Sequence, residues 1–174
     1  VDQPTIYTVG DWALRTLVKD AGQLRDKVVL GFAPDRVGRV VLERREGAGT
    51  TLLRSPDDHW KAENAGDQPT KEGVATRFLD DLRELRGASI AAEPAGDLAR
   101  FGLDAPELRL TLFDRDGQPL GTVLATRRDG KFFAMREGGS TVFEVRDYMF
   151  TRLDKKAPDT TEANPMFGNT RAEF

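Results

Sequence analysis

Leu108-Arg109-Leu110-Thr111-Leu112-Phe113, followed by Asp114-Arg115-Asp116-Gly117, decides the fold. Leucine at every second position, separated by Arg109, Thr111 and Phe113, is the period of a strand with one buried face. Asp116-Gly117 is hairpin chemistry, because Gly accepts the positive φ that a tight turn requires. The same punctuation recurs at Asp129-Gly130 and Gly138-Gly139. Strands are therefore expected over 120–125, 131–136 and 141–145, completing a four-strand antiparallel meander. A helix over 147–155 closes it.

Working outward towards the N-terminus, residues 39–45 alternate again. Val40 and Leu42 share one face, while Arg39, Glu43 and Arg45 share the other. Glu46-Gly47-Ala48-Gly49 turns the chain, residues 50–54 pair back, and a third strand over 59–62 carries Trp60. A short apolar strand is expected over 28–32, ended by Pro34-Asp35. Between lobe and meander, Val74, Phe78, Leu82 and Leu85 form one apolar stripe. It predicts a helix over 70–86, capped by Thr70, stopped by Gly87 and carrying an Arg77/Asp81 ion pair. One helical turn is expected over 97–101, ended by Gly102. Trp12, Trp60 and Tyr148 are expected in the core. The fold class is α+β: mostly antiparallel sheet, an N-terminal three-strand lobe and a C-terminal four-strand meander, with helices packed on one side.

The end of the chain echoes its beginning. Val142-Phe143-Glu144-Val145-Arg146-Asp147-Tyr148 follows the pattern of Ile6-Tyr7-Thr8-Val9-Gly10-Asp11-Trp12, with Val9/Val145 and Asp11/Asp147 identical. Apolar residues at helical spacing follow in both copies, ending on Leu17-Val18-Lys19 and Leu153-Asp154-Lys155. A self-match of this kind marks a repeated structural unit. Residues 1–23 read as the last strand and helix of a preceding, truncated repeat, and 24–156 as one complete α+β unit. The start at Val1, inside a repeat, reads as a fragment of a longer protein. Residues 157–174 carry Pro158, Pro165 and Gly168 without periodicity, and a disordered tail is expected there.

Composition narrows the function. Net charge is −3 with 32 % charged residues of both signs interspersed, which argues against a nucleic-acid footprint. There is no cysteine, so disulfides, zinc–thiolate sites, iron–sulfur clusters and thiol catalysis are excluded. No apolar run is long enough to span a bilayer as a helix.

No catalytic constellation emerges. His59, the one histidine, lies beside Asp57 and Asp58, but contiguous residues at a turn do not converge as an acid–base site does. Asp114 and Asp116 are too few for a calcium loop and read as turn residues. Gly47-Ala48-Gly49 lacks the Lys-Ser/Thr of a phosphate loop. Arg127, Arg128 and Lys131 surround a hairpin tip beside Phe132 and Phe133. That pattern fits an anionic surface, although a solvated edge whose charges block strand addition is the plainer reading. No metal, cofactor or catalytic residue is assigned.

These residues also carry a resemblance. Leu24-Arg25-Asp26-Lys27, Phe32-Ala33-Pro34-Asp35, Val40-x-Leu42, Trp60, the stripe from Val74 to Leu85, and Phe101-Gly102-Leu103-Asp104-x-Pro106 stand in the order of the bacterial domain-of-unknown-function family 4340. The sequence resembles that family over about residues 24–155, its distinctive parts being the Leu-Arg-Asp-Lys entry and the Phe-Gly-Leu-Asp element. The resemblance implies tandem α+β units behind an N-terminal membrane anchor, associated with gliding-motility-type auxiliary components of ABC transporters. It supplies no catalytic residue. The expectation is a non-enzymatic interaction or scaffold domain of the bacterial envelope, in the extracytoplasmic (periplasmic) part of a membrane-anchored protein, with a transporter component as protein partner. Phe113, Arg127, Arg128 and Lys131 are the candidate partner surface. The alternative is a small-ligand-binding domain with a pocket between its two β lobes.

Overall fold

Alternation around Val40 and Leu42 builds strand β1 (Val37–Arg44), which turns into β2 (Thr50–Arg54), β3 (Trp60–Ala62) and the two-residue β4 (Gln68–Pro69). Helix α1 (Val74–Arg83) and a short β5 (Ser89–Ala92) follow, then the meander β6 (Leu108–Asp114), β7 (Pro119–Arg128), β8 (Lys131–Arg136) and β9 (Val142–Val145), and helix α2 (Asp147–Leu153). The computed structural model describes residues 26–63, 68–70 and 73–154. The strand and helix expected within 1–23 and the tail expected over 157–174 lie outside the described residues.

Among the described residues the strands form one antiparallel sheet of nine, in the order β4-β3-β2-β1-β6-β7-β8-β9-β5. The two expected lobes are thus a single sheet, joined where β1 pairs with β6. Val40 lies opposite Leu112 and Leu42 opposite Leu110, so this pairing carries one apolar face across the seam.

That face is the core. Val40, Leu42, Leu110, Leu112, Val123 and Ala125 pack against Phe78 and Leu82 of α1 and Met149, Phe150 and Leu153 of α2. Both helices lie on this side, as the α+β reading requires. Each large apolar side chain so buried contributes about 1.5–3 kcal/mol relative to exposure. A second, smaller cluster covers the opposite face at the β7–β8–β9 end. There Leu124, Phe133 and Met135 meet Phe101, the last residue of a 3₁₀ turn over Leu98–Phe101, and Leu103 just after it. Phe101 and Phe133 meet edge to face with centroids 5.1 Å apart. Asp97 caps that turn by accepting from the Ala99 N–H, and Gly102 ends it at φ +74°.

Several local expectations change. Residues 28–32 join the sheet nowhere; Val28 makes one isolated bridge to Arg86, while Val29 and Leu30 are buried against the helix side. A short continuous apolar run does not distinguish a strand from a buried connector, and Pro34 ends this one early. Helix α1 starts at Val74 after Gly73, and Thr70 instead donates its hydroxyl to the Trp60 carbonyl. The helix stops at Arg83, before Gly87. Asp81 pairs with Arg152 of α2 at 3.1 Å rather than with Arg77, because the two helices pack side by side. Tyr148 is 50 % exposed, not core; the buried face of α2 is Met149, Phe150 and Leu153. Strand β5 had no counterpart in the sequence reading.

Candidate functional site

Where β1 leaves the sheet, a cavity of about 330 Å³ opens at the seam with β6. Arg44 lines it from the end of β1 with Arg45 and Glu46 just beyond, Leu108 from the start of β6 with Glu107 just before, Arg127 from the end of β7, and Phe150 from α2 with Asp154 at its C-cap. Leu108 and Phe150 are buried and form an apolar floor.

The inner wall is fixed by Arg44. It shares the parity of Val40 and Leu42, so its side chain points to the helix side and is only 7 % exposed. Its Nε donates to Asp154 Oδ1 at 2.7 Å and its Nη1 to the Ala48 carbonyl at 2.7 Å. These are short, charge-assisted contacts. The outer wall is looser. Arg45 Nη1 donates to the Ala105 carbonyl at 3.0 Å, while its Nη2 lies 3.9 Å from Glu107 Oε1. Arg127 Nε lies 3.9 Å from the same oxygen.

Of the residues singled out from sequence, Arg127 lies in this cavity and the others do not. Arg128 and Lys131 sit at the β7–β8 tip, each facing a carboxylate: Arg128 lies 3.8 Å from Asp129 and Lys131 lies 3.1 Å from Glu144. Phe113 is on the sheet face away from the helices, half-buried, with the Arg39 guanidinium 5.6 Å above its ring. Phe113 pairs with Pro119, eight residues along β7 from Arg127. At ~3.3 Å per residue the tip and Phe113 stand ~26 Å apart, at opposite ends of the ladder. They do not form one surface patch.

The remaining candidates resolve into turn chemistry. Asp114 Oδ1 accepts from the N–H groups of Asp116 and Gln118. Asp58, at φ +65°, accepts from Arg115 Nη2 at 2.7 Å, and that hydrogen bond, reinforced by the Arg54 charge, holds its carboxyl below the usual carboxylate value. Arg54 Nε is 3.2 Å from Asp58 Oδ1 without hydrogen-bond alignment, so that contact is Coulombic. The Ser55 hydroxyl lowers Asp57 in the same direction. His59 is exposed. Among the described residues no three His, Cys, Asp or Glu are grouped to hold a metal ion, and no helix is long and apolar enough to cross a membrane.

The cavity residues other than Arg127 were not singled out from sequence. One signal was available: an arginine at the third position of the inward Val40, Leu42, Arg44 register. A charge on a buried parity requires a partner, and that partner is Asp154, far along the chain.

Comparison with known families finds a domain of unknown function (DUF4340) matched twice, over residues 1–93 and 60–167. Two overlapping matches in one chain are consistent with a repeated unit. No curated protein and no solved structure matches. With nearly all of its length covered by the two matches, the chain belongs to the DUF4340 family.

Proposed function

We propose that this chain is a non-enzymatic interaction domain of a bacterial envelope protein, held at the membrane by a segment beyond the described residues and working beside an ABC-type transporter. One observation carries the interaction part. On the sheet face away from the helices, Val41, Thr111 and Phe113 of β1 and β6 and Leu53 of β2 belong to neither core cluster. They are half-buried only by their neighbours, with Arg39, Glu43, Lys61 and Arg109 around them. Val41 lies between Thr51 and Thr111, and Arg39 between Leu53 and Phe113, so these side chains form adjacent rows on one sheet face. A mixed apolar centre with a charged rim is the anatomy of a protein interface. The envelope location, the tether and the transporter are supported by the family resemblance alone.

The test is purification of the full-length protein from solubilised envelope, beside Phe113→Ala and Leu53→Arg variants. Recovery of transporter subunits with the wild type and their loss from Leu53→Arg is the expected result. The same yield from both, or no transporter subunit at all, counts against the reading.

A second reading, a small-ligand-binding domain, is favoured by the seam cavity. It lies where the N-terminal strands meet the meander, and its volume of about 330 Å³ falls in the range of small-molecule sites.

A further inference from the structure

The seam cavity carries both signs of charge in equal number: Arg44, Arg45 and Arg127 against Glu46, Glu107 and Asp154. These groups are not equally committed. Arg44 and Asp154 are closed on one another at 2.7 Å. Arg45 and Arg127, in contrast, flank one Glu107 oxygen at 3.9 Å each, beyond the 2.7–2.9 Å of a charge-assisted hydrogen bond. Arg127 makes no hydrogen bond to a described residue, and Glu46 makes no ion pair with one. The cavity thus offers the Arg127 fork, the Arg45 nitrogens that its bond to the Ala105 carbonyl leaves over, and the Glu46 carboxylate, above the apolar floor of Leu108 and Phe150.

A bare anion is a poor guest here, because Glu46 and Glu107 repel it. A bare cation meets the same objection from Arg45 and Arg127. A ligand with both charges satisfies both walls. We propose that the cavity binds a small zwitterion of the amino-acid class with an apolar side chain. Its carboxylate bridges Arg45 and Arg127, a planar geometry that a guanidinium fork matches. Its ammonium faces Glu46 and its side chain rests on Leu108 and Phe150. This rests on the small-ligand reading and gives that reading a ligand class.

The experiment is a heteronuclear NMR titration of the whole chain at matched millimolar concentrations with three probes. These are L-leucine, isocaproate (leucine without its ammonium) and isoamylamine (leucine without its carboxylate). Leucine is expected to move the Leu108, Phe150 and Arg127 resonances. Either truncated probe should bind about tenfold more weakly, as should leucine to Arg127→Gln, the loss expected for one charged hydrogen bond. Isocaproate binding as well as leucine would overturn the zwitterion and leave a plain anion pocket, with the ligand reading intact. Cavity shifts with none of the three would overturn the proposal, and a small-molecule library that also leaves Leu108 and Phe150 unmoved would remove the ligand reading as well.

Discussion

Arg44 Nε donates to Asp154 Oδ1 at 2.7 Å across a sequence separation of 110 residues, tying the last residue of β1 to the residue that ends α2. The arginine is almost wholly buried and the carboxylate about one-third exposed. Removing the carboxylate therefore leaves a buried guanidinium without its carboxylate partner, although the Ala48 carbonyl and Thr50 hydroxyl still accept from it, whereas removing the arginine releases Asp154 to water. Asp154→Ala is expected to cost about 2 kcal/mol, the penalty for a lost hydrogen bond to a charged group. Because the penalty comes from the stranded partner, Arg44→Met in the same chain should restore part of it. Urea denaturation of the two single variants and the double variant measures the coupling; strictly additive losses would show that the pair does not act as a unit.

Gly87 sits against Phe143 so closely that a Cβ there falls 2.5 Å from the ring Cδ1. Its N–H donates to the Lys27 carbonyl at 2.8 Å, so the backbone has no freedom to retreat. Gly87→Ala should destabilise by about 1–3 kcal/mol through overpacking. Adding Phe143→Leu should recover part of that loss in a denaturation series. Full stability for Gly87→Ala alone would show that the approach is not tight.

Local signals carried the meander and β2, and they did so for a physical reason. Alternation and Asp-Gly turns act between residues a few positions apart, so they are complete within a short window. What failed to show was long-range. The β1–β6 pairing joins Leu42 to Leu110, and nothing near either residue announces the other. Strand β5 is only Ser89-Ile90-Ala91-Ala92, too short and too weakly apolar to read; its conformation follows from pairing with Val142, Phe143 and Glu144. Residue type alone places Tyr148 in the core, whereas the Met149, Phe150, Leu153 spacing puts it on the outer side of α2. Phe113 and Arg127 are both on the meander, but they stand at opposite ends of β7, Phe113 beside Pro119 and Arg127 beside Phe132, so they are two separate candidate contacts.

Tyr148 and Phe150 separate the two faces of α2. Tyr148 is half exposed beneath the Arg152 guanidinium, 5.4 Å from its ring, whereas Phe150 is 8 % exposed and packs on Phe132 at 5.1 Å. Tyr148→Ser is expected to change stability by less than about 0.5 kcal/mol. Phe150→Ala should cost about 3–5 kcal/mol through the cavity that it leaves. Thermal melts of both variants test this, and a large loss for Tyr148→Ser would show that Tyr148 carries packing energy that its exposure does not suggest.

The acid limb of stability should depend on Asp58. Its hydrogen bond from Arg115, helped by the nearby Arg54, lowers its folded-state pKa below the unfolded value. A depressed carboxylate stabilises the fold above its unfolded pKa of about 3.9, and that contribution disappears as pH falls through the folded pKa. Asp58→Asn keeps a residue that tolerates φ +65° and removes only the charge. The variant should therefore melt below the wild type near neutral pH, and the two curves should converge once Asp58 is protonated in the native protein. Asp57, lowered by the Ser55 hydroxyl, acts in the same window, so Asp58→Asn should flatten the acid limb without abolishing it. The measurement is Tm against pH from neutral to strongly acidic conditions. Parallel curves at constant separation would show that Asp58 contributes through turn geometry rather than through its charge.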